Sequence, residues 1–115
     1  MSWLDVGPFD GLPQRGARVV RVRGVDIAVF RTAEDEVFAL VDRCPHRGGP
    51  LSAGIVHDRA VACPLHGWVI RLDSGEAEAP DRGCVPRIAV RLAEGRIWLS
   101  ASEIETAAGL DRERV

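Results

Sequence analysis

Two short stretches, CPHRGGP at residues 44–50 and CPLHGW at residues 63–68, constrain the fold of this chain more than any other feature. Each couples one cysteine to one histidine, as Cys44-x-His46 and Cys63-x-x-His66, with 16 residues between the two pairs. Each also closes an apolar run that reads as a strand, ALVDRC for the first and AVAC for the second. Two neighbouring loops at strand ends can therefore present four ligands to one point.

The sequence around them reads as β structure. Val20 and Val22 alternate with Arg21 and Arg23, and Val25, Ile27 and Val29 alternate after Gly24, which makes a hairpin. VFALV at 37–41 follows a polar break at 32–36 and is apolar on both faces, as for a strand inside a sandwich or small barrel. AVAC, WVIRL at 68–72, and RIAVRL and RIWL on either side of Glu94-Gly95 add short strands. The expected fold class is all-β, antiparallel and turn-rich. Only near the end, where Ser102 and Glu105 have capping-box spacing, does a helix signal appear; SEIETAAGLDRERV is expected to be a short helix or a frayed tail.

Two metals are compatible with the four ligands. Structural zinc accepts Cys2His2, but commonly with the cysteines paired together and the histidines paired together. A [2Fe–2S] centre of mixed ligation needs two thiolates on one iron and two imidazoles on the other, so one cysteine and one histidine from each loop suit it better. Gly48 and Gly49 would then let the backbone approach and aim N–H groups at the bridging sulfides, while Pro45, Pro50 and Pro64 stiffen the loops. The bland alternative makes Cys44 and Cys63 buried small residues and the histidines satisfied polar groups.

Composition limits the partners. A chain of 115 residues suits one domain, taken over 1–115 with a core from about residue 3 to residue 100 and a tail over 101–115. A formal charge of −2 gives no basic footprint, so neither nucleic acid nor an anionic membrane is an expected partner. MSWLDVGPFDGLPQRG lacks the basic start and apolar run of a signal peptide, and no segment is long enough to span a bilayer, so the expected location is cytoplasmic. In that reducing compartment three cysteines are metal ligands, reactive thiols or buried residues rather than disulfide partners.

At the residues Cys44-x-His46 and Cys63-x-x-His66 the chain resembles the Rieske family, from about Val19 to Leu99. The resemblance implies the Rieske fold, an antiparallel β sandwich or barrel with a cluster-binding subdomain, and one [2Fe–2S] cluster per chain held by Cys44, His46, Cys63 and His66. FALVDRCPHRGGPLSAGIV and CPLHGWVIRLDSGEAEAPDRGCV are most similar to the small-subunit family of cytoplasmic NAD(P)H-dependent assimilatory nitrite reductases. That likeness implies electron transfer beside a large catalytic subunit carrying flavin, iron–sulfur and sirohaem, with no active site in this chain itself. Rieske ferredoxins that feed ring-hydroxylating dioxygenases share the ligands but generally lack DRGCV; they are the alternative, as is a structural subunit whose cluster lies off the electron path. Cys44 and Cys63 would hold the iron that stays ferric, and His46 and His66 the iron that is reduced. Gly67 and Trp68 follow His66 where high-potential members carry a hydroxyl donor, and no disulfide partner is available, so a potential of about −150 to 0 mV is expected.

Other residues carry lesser expectations. Cys84 reads as a buried small residue and His57 as an exposed turn histidine. Trp68 reads as a core anchor or a shield for the cluster. Pro80 and Pro86 bracket a surface turn that, by resemblance, could fold over the cluster. All 15 basic residues are arginine, with Arg21, Arg23, Arg87 and Arg91 at outward strand positions; Arg47 adjoins His46, where it could steer an acidic partner.

Overall fold

The computed structural model describes residues 2–45, 48–64 and 67–113. Ten strands form three antiparallel sheets, and one helix follows the last strand. The central sheet has the order β2-β3-β4-β8, from β2 (Gly16–Val22), β3 (Val25–Arg31), β4 (Val37–Val41) and β8 (Arg87–Ile88). The expected hairpin is present, with pairing from Val22↔Val25 to Gly16↔Arg31. Its turn residues Arg23 and Gly24 both have positive φ, a two-residue connection whose twist matches that of the strands. Arg23 thus sits in the turn rather than on a strand, where it pairs with Glu105 of the helix.

In β3, Val25 and the four residues Ile27 to Phe30 are all buried, so both faces of this strand are covered. Ala39, Leu40 and Val41 of β4 are likewise buried, as the two-faced apolar reading of VFALV requires.

The second sheet joins the two ends of the chain in the order β1-β10-β9, from β1 (Trp3–Pro8), β9 (Val90–Ala93) and β10 (Arg96–Ser100). The turn at Glu94-Gly95 is where the sequence placed it. β1 carries no strong strand signal and pairs with residues more than ninety positions away, Trp3↔Ser100 and Leu4↔Leu99. The Arg96 Nε donates to Asp5 Oδ2 at 2.6 Å across this pair.

Helix α1 (Ala101–Glu113) continues directly from β10. Its cap lies two residues before the expected one: Glu103 N–H donates to Ser100 Oγ at 3.4 Å. Ser100 ends a strand, so its extended backbone leaves the hydroxyl facing the open N–H groups of the first turn. The helix is seated rather than frayed, because Ile104, Ala107 and Ala108 are buried in the core against β3, β8 and β10. Among the described residues, no helix is long and apolar enough to cross a membrane.

The third sheet, β5-β6-β7, is small: β5 (Ile55–His57), β6 (Ala60–Ala62) and β7 (Val69–Arg71). Its middle row, Val56↔Val61↔Ile70, is buried, while the rows on either side face outward, the period of two expected of a sheet with one covered face. This sheet and the end of β4 carry the two cysteine loops.

Candidate metal centre

The first loop leaves β4 and closes on itself. Cys44 N–H donates to the Gly49 carbonyl and Gly48 N–H donates to the Cys44 carbonyl, each at 2.8 Å. Gly48 therefore spends its N–H inside the loop rather than aiming it at a bridging sulfide, and the expectation for that residue is corrected. The base of the loop is fastened twice, by Val41 N–H on the Pro86 carbonyl and Asp42 N–H on the Asp26 carbonyl.

The second loop joins β6 to β7. It is closed by Cys63 N–H donating to the Trp68 carbonyl at 2.7 Å, so the loop hangs from a hairpin already paired at Ala62↔Val69. Trp68 is half-buried and packs on the core, which bears out its reading as an anchor.

Two close approaches bring the loops together. The Gly54 backbone, in the turn that follows the first loop, lies so near β6 that a Cβ there would sit 2.2 Å from the Ala62 carbonyl oxygen. Gly83, with φ +146°, lies against Pro45 of the first loop and Trp68 of the second; a Cβ would be 2.9 Å from Pro45 Cβ and 3.9 Å from Trp68 Cζ3. Residues 80–85 thus form a strap across both loops, held by Ala77 N–H on the Gly83 carbonyl and by Val85 N–H on the Gly75 carbonyl.

Cys44 and Cys63 are each 2 % exposed, belong to one core cluster and form no disulfide. His46, His66 and Arg47 lie outside the described residues. Cys84 is exposed, against the buried position expected of it, because it occupies the strap's outer side, where its backbone forms a bridge with Glu76. His57 ends β5 with its side chain 84 % exposed beside the Asp58 carboxylate, away from any ligand role.

A groove of about 560 Å³ runs over the outer face of β5-β6-β7, with Ala60, Ala62 and Val69 as its floor and His57, Arg59, Arg71 and Glu78 at its rim. Those rim charges are mostly engaged. Arg59 bonds Glu36, which raises the Arg59 pKa, and Arg71 bonds Asp73, which raises that of Arg71 and holds the Asp73 carboxyl below its ordinary range.

Sequence reasoning passed over Asp42 and Ser52. The Asp42 carboxylate accepts from both Ser52 N–H and Ser52 Oγ, each at 2.7 Å. The spacing alone held no signal for this pair, since it forms only once the loop between them has folded.

Two buried cysteines on adjoining loops, neither in a disulfide, fit the thiolate half of a mixed Cys/His iron–sulfur site. The Rieske [2Fe-2S] domain family matches residues 2–89, and the chain belongs to that family. The match decides between the two metals left open above: the domain carries one Rieske-type [2Fe–2S] cluster, and the chain is a Rieske-type electron-transfer protein.

Among its relatives, the chain is 37 % identical over 105 residues to the 3-phenylpropionate/cinnamic acid dioxygenase ferredoxin subunit of Photorhabdus laumondii, covering 90 % of this chain and 98 % of that one. It is 36 % identical over 118 residues to the 4beta-methylsterol monooxygenase of Methylococcus capsulatus, covering 93 % of this chain but 32 % of the relative. Several further relatives are also spanned to less than a third of their length. A solved chain from Mycobacterium tuberculosis, provisionally assigned as an NADH-dependent nitrite reductase small subunit, superposes with TM-score 0.78 at 30 % identity, covering 85 % of this chain and 93 % of that one.

Proposed function

We propose that this chain passes single electrons as the small subunit of a cytoplasmic NAD(P)H-dependent nitrite reductase, which reduces nitrite to ammonium in nitrate assimilation. Cys44 and Cys63 hold one iron and His46 and His66 the other. When bound, the cluster supplies a one-electron couple whose added charge is better tolerated on the iron with neutral imidazole ligands than on one with thiolates. The chain's own residues bury both thiols, shape the two loops through their backbone hydrogen bonds, and cover them with the strap.

The observation that carries the nitrite reductase reading is the seating of DRGCV, residues 81–85, on both ligand loops through Gly83. That phrase ends the second of the two stretches by which the sequence resembles the nitrite reductase small subunits, and its Gly83 touches both loops. The partner is a large subunit with flavin, iron–sulfur and sirohaem, which binds NAD(P)H and nitrite. A second reading, a ferredoxin for a ring-hydroxylating dioxygenase, is favoured by the 37 % identity to a ferredoxin subunit of matching length.

A tagged pull-down from nitrate-grown native cells separates the two. Recovery of a large sirohaem protein, with NAD(P)H-dependent nitrite reduction in the eluate, supports the first reading. Recovery of the coloured chain without that activity, together with hydroxylation when an oxygenase and a reductase are supplied, replaces it with the second.

A further inference from the structure

We infer that Asp42 is a positioning residue for the cluster, clasping the first ligand loop shut through Ser52; the inference rests on Cys44 being a ligand. Asp42 precedes Cys44 by two residues, and Ser52 follows the loop directly after Pro50 and Leu51. Everything between them is the segment that carries Cys44 and His46. The loop's own backbone bonds, Cys44 to Gly49 and Gly48 to Cys44, close it on itself.

The clasp joins the two ends of that loop. On one side Asp42 is fixed to the central sheet, its N–H donating to the Asp26 carbonyl at 2.8 Å. On the other side its two carboxylate oxygens take separate bonds from Ser52, Oδ1 from the N–H and Oδ2 from the hydroxyl, both at 2.7 Å and both part-buried. Bonds of that length to an ionised acceptor are stronger than neutral ones, and two on one residue set its direction as well as its distance. Ser52 opens onto Leu51, which is fully buried, and onto Gly54, which is pressed against β6 next to Cys63. Asp42 therefore couples the sheet bearing the first cysteine to the turn packed on the strand bearing the second. Without it, the loop would keep its internal bonds but lose its fixed placement relative to Cys63.

The test compares wild type with D42A, D42N, S52A and the remote control D5A, which breaks the Asp5–Arg96 pair on the β1-β10-β9 sheet. For each purified protein, iron per chain, the rate of visible bleaching by a ferrous chelator, and Tm are measured. D42A, which loses both bonds to Ser52, is expected to release iron at least about tenfold faster than wild type, the factor that even one charge-assisted hydrogen bond implies. S52A, which keeps the N–H arm, falls between them. D42N stays within about threefold of wild type, since an amide can accept from the Ser52 N–H and donate to its hydroxyl. D5A lowers Tm without speeding release.

Release from D42A at the wild-type rate, or equal acceleration in D5A, overturns the clasp. Where D42A does not fold, S52A decides, and an unchanged rate in that variant overturns it equally. A wild-type chain that holds no iron and shows no [2Fe–2S] absorption overturns the ligand assignment and the clasp together, whereas a loaded wild type with an inert clasp overturns the clasp alone.

Discussion

Among the three cysteines, environment separates roles that composition leaves equal. Cys44 and Cys63 are sealed in the core, and Cys84 faces solvent one residue from the point where the strap meets both loops. Thiol reactivity follows access as well as thiolate character, so one thiol per native chain should react rapidly with a disulfide reagent. C84S should abolish that fast phase and leave the visible spectrum of the loaded protein unchanged. A native count of two or three fast thiols would show instead that the ligand loops open. The Cys-x-His and Cys-x-x-His pairs were legible because their residue types and order are rare together. The exposure of Cys84 was not, because a cysteine's apolar character predicts burial while only the path of the strap decides which side it faces.

Elements are where local propensity and packing part company. The 101–115 segment is charged and too short to hold a helix by propensity alone. What stabilises it is burial of Ile104, Ala107 and Ala108, together with the cap from Ser100. I104A should cost about 3 kcal/mol through lost burial and the cavity left behind, and S100A about 1 kcal/mol, both read by chemical denaturation.

The β1–β10 pair makes a further prediction through Asp5, whose carboxyl is held below its ordinary range by the hydrogen bond from Arg96 and then by Gly7 N–H. A folded pKa below the unfolded value means a stabilising contribution that is complete above the usual carboxylate pKa of about 3.9 and is lost as pH falls through the lower folded value. The Tm of D5N should accordingly lie below that of wild type at neutral pH, and the two curves should converge in acid. Parallel curves down to the most acid point would assign the Asp5 effect to something other than its charge. β1 and its partner strand were not equally readable: RIWL alternates beside a clear turn, whereas WLDVGP includes a glycine and a proline and finds its partner only at the other end of the chain.

At the scale of the whole molecule the three sheets have separate duties. The β2-β3-β4-β8 sheet is covered on both faces along β3, while the small β5-β6-β7 sheet and the end of β4 carry the two cysteine loops. Removing the cluster should therefore loosen the chain unevenly. Hydrogen exchange of the metal-free protein should rise at residues 43–54 and 63–69 and stay unchanged across 16–31, because the β2–β3 hairpin is paired along its whole length and contains no ligand. Uniform acceleration would show instead that the metal holds the entire fold together. The sequence Gly67-Trp68 after His66 gives the accompanying expectation of a midpoint of about −150 to 0 mV, to be checked by a redox titration.

The sequence by itself determined the two Cys/His pairs, the hairpin at residue 24, the two-faced strand at 37–41 and the turn at 94–95, because each is written in nearest neighbours or a period of two. Tertiary structure alone decided that Gly83 lies on Pro45 and Trp68, that Asp42 reaches Ser52, that the chain ends pair, and that the last helix is seated. Those contacts join residues whose separation along the chain carries no period. Their formation depends on the packed shape that the local patterns build together, so each becomes visible only when the sheets are assembled.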